Sequence, residues 1–169
     1  MSKRIVILGT NHRAQAHYDD EPNEIGKVLE CLLKRHSDTR AILEERDSKG
    51  CWPREGSVVA KARGLSWENI GTPDGPEFDT GHKLNELGIH IYGPLRNQIR
   101  REEYFLDRIR SIMDTRDQGL FICGLAHIQS MGEKLFNSGF VVEAYEWQPN
   151  EQNCNPRRVT LHSEFSGPG

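Results

Sequence analysis

Two segments of this chain carry the same four-residue pattern. "GTNH" closes the apolar run at residues 5–8 with Gly9 and His12, and "GLAH" closes the run at residues 120–123 with Gly124 and His127. A glycine at the end of a strand lets the backbone turn sharply and come close to a ligand. A histidine three residues on can serve as base, acid or metal ligand near neutral pH. A third apolar run, residues 41–43, ends in Glu44 and Glu45. Two imidazoles and a carboxylate can hold a divalent metal and leave positions open for water. They can equally hold the water directly, one His acting as general base and the Glu orienting it. Asn11 can add a hydrogen bond to a carbonyl oxygen.

A lone histidine after a strand is ordinarily a loop residue with a local hydrogen bond. The repetition, with a carboxylate at a third strand end, lifts His12, His127 and Glu44 (or Glu45) above that. The stretch "RREEYFLDRIRSIMD" reads two ways. It is a charged surface helix with few favourable pairs, or an Arg at its start points at the site to bind an anionic substrate group or an oxyanion. His17 is assigned to the surface and His90 to a sheet. His36, His82 and His162 sit in polar settings without chemistry. Cys123 reads as a small buried hydrophobe, and Trp52, Trp67 and Trp147 as core or rim packing.

These residues need a frame. Strands are expected at residues 4–8, 41–43, 67–70, 89–92, 119–123 and 140–147, with one more near 159–161. Helices are expected at 23–36, 55–63, 97–115 and 128–138. In the first helix Ile25, Val28, Leu29, Leu32 and Leu33 make one apolar face. In the third, Phe105, Ile109, Ile112 and Met113 do so, and Gly139 sits at the usual cap position after the last. Gly and Pro recur through residues 47–88, and "GTPDGPEFDTG" reads as a loop. Alternating strands and helices imply an α/β domain, residues 1–148, with a mostly parallel central sheet flanked by helices. Residues 149–169 read as a polar tail. Ligands of such sheets bind beyond the carboxyl ends of the strands, where all three motifs fall.

Composition limits the function classes. The chain has 169 residues, with 22 basic and 25 acidic side chains and a net charge of -3, so no electrostatic case exists for nucleic acid or an acidic membrane surface. No segment approaches a membrane span, and the first apolar run is too short for a signal peptide. Cys31, Cys51, Cys123 and Cys154 form no CxxC pair, as expected for free thiols in a cytoplasmic protein.

The paired "GTNH" and "GLAH" motifs resemble those of the superfamily that unites TraB, the Tiki proteases, the erythromycin esterases and the ChaN-like proteins. The order is also similar: strand and GxxH, helix, a strand ending in Glu ("AILEE"), a variable middle, an Arg-led helix ("RREEYFLDRI"), then "FICGLAHIQSMGEKLFNSGFVV". The resemblance covers about half the chain, is most specific in that last segment, and is weak over residues 47–95. It implies site positions at His12, Glu44 (Glu45 the alternative), Arg101 and His127. It also implies a hydrolase, metal-dependent as in Tiki-like members or with a His base as in the esterases; ChaN-like members bind haem. The metal-dependent branch implies a divalent Mn, Zn, Fe or Co ion held by His12, Glu44 and His127, and the His-base branch implies no cofactor; the substrate is a small molecule or peptide in either. The chain is shorter than most members, so a second subunit of a homo-oligomer or the variable middle is expected to close the pocket. The alternative is a non-catalytic metal, haem or nucleotide sensor on the same fold. A Rossmann-like nucleotide binder is disfavoured, because GxGxxG and Walker loops are both absent.

Overall fold

The computed structural model of the chain describes residues 2–11, 24–45, 55–73, 75–78, 83–84, 90–91, 95–148 and 154–162. His12, His17, Trp52, Cys51 and His82 lie outside the described residues.

The fold is α/β, with a six-stranded, mostly parallel sheet and helices on both faces. Strand β1 (Arg4–Thr10) leads through α1 (Glu24–Arg35) to β2 (Ala41–Glu44). Helix α2 (Glu55–Arg63) then leads to β3 (Ser66–Asn69). A two-stranded antiparallel ribbon follows, β4 (Lys83–Leu84) with β5 (His90–Ile91). Helix α3 (Leu95–Ile112) and a 3₁₀ turn lead into β6 (Gln118–Gly124). Helix α4 (Ile128–Asn137), β7 (Val141–Glu146) and β8 (Arg157–Val159) complete the chain.

The strand order is β3-β2-β6-β1-β7-β8, with β8 alone antiparallel among them. The β1-to-β2 and β6-to-β7 connections leave neighbouring strands in opposite directions, one over each face of the sheet. Such a switch point opens a crevice at the carboxyl edge.

Both sheet faces are covered, which is why β1, β2 and β6 read as continuous apolar runs rather than alternating ones. Ile5, Ile7, Leu43, Phe121 and Cys123 face Phe105 and Ile109 of α3 and Met131 and Leu135 of α4. Val6, Leu8, Ile42, Leu120 and Ile122 face Val28, Leu29 and Leu32 of α1 and Val59 of α2. Full burial of each such side chain contributes about 1.5–3 kcal/mol. Gly139, at φ 89°, ends α4 in the left-handed region that glycine adopts without strain.

Three expectations change. Of the strand expected at residues 89–92, the described part, His90–Ile91, pairs with β4 outside the main sheet and adds nothing to the parallel frame. The last strand falls at Arg157–Val159 and is antiparallel to β7, and the buried Leu161 just beyond it packs over Gly132 of α4. His36 has polar neighbours but is buried: its ring meets Tyr145 edge-on at 5.9 Å, with Nε2 3.4 Å from the Tyr145 hydroxyl and 4.0 Å from Glu143. Burial there pushes its pKa down, against the opposing pull of Glu143.

Candidate functional site

The strand ends that open the two Gly-x-x-His segments are neighbours at one edge of the sheet. Strands β1 and β6 pair in parallel, with Gly9 opposite Cys123 and Thr10 opposite Gly124. A methyl group on Gly9 would overlap the Ile128 side chain, so the first glycine admits the residue that directly follows His127. After Gly124 the chain makes one 3₁₀ turn, Leu125–His127, and runs straight into α4. This turn sets His127 at the mouth of the helix, 8% exposed.

Glu44 and Glu45 part company at the end of β2. Alternation along the strand sends Glu44 to the face that also carries Ile42. There it accepts a 2.8 Å hydrogen bond from Trp67 Nε1, and a side chain on Gly56 of α2 would run into its carboxylate. Glu45 turns to the opposite face and is fully buried at 0% exposure. Its Oε1 accepts from Arg101 Nη2 at 2.5 Å and its Oε2 from the Gly124 backbone N–H at 3.0 Å. The carboxylate that joins Arg101 and the second motif is therefore Glu45, the alternative in the sequence reading, and not Glu44.

His127 sits between two carboxylates. Its Nε2 lies 3.7 Å from Glu45 Oε1, beyond hydrogen-bond range. Its Nδ1 lies 2.9 Å from Glu102 Oε1. Glu102, 2% exposed, also accepts from Ser130 Oγ at 2.6 Å and from Lys134 Nζ at 3.2 Å. Burial would raise the Glu102 carboxyl, but the hydrogen bonds from His127, Ser130 and Lys134 outweigh it and hold it at about 2. An ionised carboxylate only accepts, so His127 Nδ1 is the donor. In the neutral ring this leaves Nε2 with the free lone pair, on the side of Glu45.

Two aromatic contacts complete the arrangement. Phe105 meets the His127 ring edge-on at 5.6 Å, and the Arg101 guanidinium lies 5.8 Å from the same Phe105 ring. Cys123 is fully buried beneath the site, and burial together with Glu45 and Glu102 pushes its thiol pKa up. That suits the small hydrophobe expected there.

No protein-family model and no curated protein matches this chain.

The donor set expected for a divalent metal, His12, Glu44 and His127, is represented among the described residues by Glu44 and His127 alone. Glu44 and His127 lie on opposite faces of the sheet, and Glu45 is already bonded to a guanidinium and a backbone N–H. No group of three His, Cys, Asp or Glu side chains among the described residues converges on one point. His12, the remaining expected ligand, lies outside the described residues. No helix among them is long and apolar enough to cross a membrane.

Sequence reading missed Glu102. Its signal was in phase: Glu102, Phe105, Ile109 and Ile112 stand at i, i+3, i+7 and i+10 on one helix, and the last three form its buried stripe. A charged residue on an apolar stripe asks for a buried partner.

Proposed function

We propose that the protein is a small hydrolase of the TraB/Tiki/erythromycin-esterase type, in which His127 activates a water. The observation that carries this reading is the relation of His127 Nε2 to Glu45 Oε1. An oxygen atom placed about 2.8 Å from each would bridge the two, a normal distance for both hydrogen bonds. Water there gives one proton to Nε2 and is oriented through the other by Glu45. As the proton moves to Nε2, the oxygen attacks an electrophilic carbon or phosphorus.

Arg101 supports the same reading. Its guanidinium lies at the same edge of the sheet, where it attracts a substrate carboxylate or phosphate or the oxyanion that forms on attack. The substrate class is an ester, amide or phosphoester of small size.

The test is a panel of small esters, amides and phosphoesters assayed with wild type, His127→Ala and Glu45→Gln. Each variant is checked for native far-UV circular dichroism. The reading expects turnover of at least one panel member by wild type. The His127 variant should lose about 10²- to 10⁴-fold, the usual contribution of a general base.

A further inference from the structure

A line of ionisable side chains links the end of β2, α3 and the start of α4. Arg101 pairs with Glu45, and Glu45 faces His127 Nε2. His127 Nδ1 pairs with Glu102, and Glu102 pairs with Lys134. Glu102 is not one of the positions implied by the Gly-x-x-His resemblance, and nothing in the water-activating scheme requires it. Its burial next to His127 nevertheless calls for a role.

We infer that Glu102 is a positioning residue for His127, fixing the proton on Nδ1 and holding Nε2 toward Glu45. This rests on the proposal that His127 is the base. Three features carry it. First, the carboxylate that accepts from Nδ1 is itself immobilised. His127 caps the start of α4, Ser130 and Lys134 follow it at i+3 and i+7, and they bond the two Glu102 oxygens. Second, the ring plane is set by Phe105, which stands three residues after Glu102 on α3 and meets the imidazole at 88°. Third, Arg101 and Glu102 are adjacent in sequence, so one turn of α3 docks a cation on Glu45 and an anion on His127.

A histidine base with a fixed tautomer presents its lone pair before substrate arrives. When Nε2 takes the proton of water, the O–H bond breaks, the N–H bond forms and the ring becomes an imidazolium. Glu102 keeps its hydrogen bond and takes no proton; its charge stabilises the imidazolium. The proton on Nε2 then passes to the leaving group, which restores the neutral ring.

The experiment is long-range ¹H–¹⁵N correlation of the imidazoles in the full-length chain, at a pH where the ring is neutral. Comparison with His127→Gln assigns His127. The expected wild-type result is the Nδ1–H tautomer, and Glu102→Ala should shift His127 to Nε2–H. Glu102→Gln, the isosteric variant, should lower kcat about 10²- to 10⁴-fold with KM unchanged, the upper end being the loss when the carboxylate that orients a histidine base becomes an amide. An Nε2–H tautomer in the wild type overturns the inference, and so does an unchanged Nδ1–H tautomer in a folded Glu102→Ala. The tautomer is read without turnover. A wild type with the Nδ1–H form and no hydrolysis would sink the hydrolase reading and leave the positioning of His127 intact.

Discussion

The Glu45 carboxylate and the Arg101 guanidinium meet at 2.5 Å across 56 residues of sequence, tying the end of β2 to the second turn of α3. The Glu45 side chain is fully buried and that of Arg101 is 21% exposed. Removing one partner of such a pair leaves a charge without its counterpart, at a cost of about 3–5 kcal/mol. Arg101→Leu and Glu45→Leu are each expected to destabilise by roughly that amount. The double variant should cost clearly less than the sum. Urea unfolding of the four proteins at one pH measures the coupling.

The two adjacent glutamates should separate in their effects. Glu45→Gln removes the charge beside His127 Nε2 and is expected to abolish most turnover. Glu44→Gln should spare turnover, because Glu44 faces α2 and Trp67. Its effect should be on stability, about 1–3 kcal/mol for a disturbed buried hydrogen bond. Steady-state kinetics beside denaturant melts distinguish the two.

That separation also marks what could be read from the sequence. Both glutamates follow a strand buried on both faces, so the residues before them do not reveal which face each will take. Only the register of β2 against β6, with Glu44 opposite Ile122, sends Glu45 toward α3. The strands themselves were legible because burial on two faces leaves continuous apolar runs. The helices were legible because one face alone is apolar. The ribbon β4–β5 was not, since two-residue strands carry no periodicity. Glu102 was hidden among Arg100, Arg101 and Glu103, which together look like a solvated helix face.

Acid should destabilise the protein through Glu102. Its carboxyl is at about 2 in the folded chain, against an ordinary value of 4.5. A depressed folded value means the stabilisation is complete above pH 4.5 and is lost as the pH falls from 4.5 toward 2. The size is on the order of 3 kcal/mol, from 1.36 kcal/mol per unit. Urea unfolding between pH 6 and 2 should show this loss in wild type, and Glu102→Gln should flatten it. Equal slopes in the two proteins would contradict it.

Contact between the two motifs gives a further test. Gly9→Ala places a methyl group against Ile128, which is 3% exposed and directly follows His127. Overpacking of this kind costs about 1–3 kcal/mol. It should also lower kcat, because the start of α4 must shift. A thermal melt and a kcat measurement on Gly9→Ala check both effects.

The central claim is that His127 takes the proton from the attacking water. Chemical rescue tests it most directly: a panel substrate turned over by wild type is assayed with His127→Ala, with and without added imidazole. The account predicts a loss of about 10²- to 10⁴-fold, with part of the activity restored as imidazole is added. Turnover by His127→Ala equal to that of wild type would contradict it.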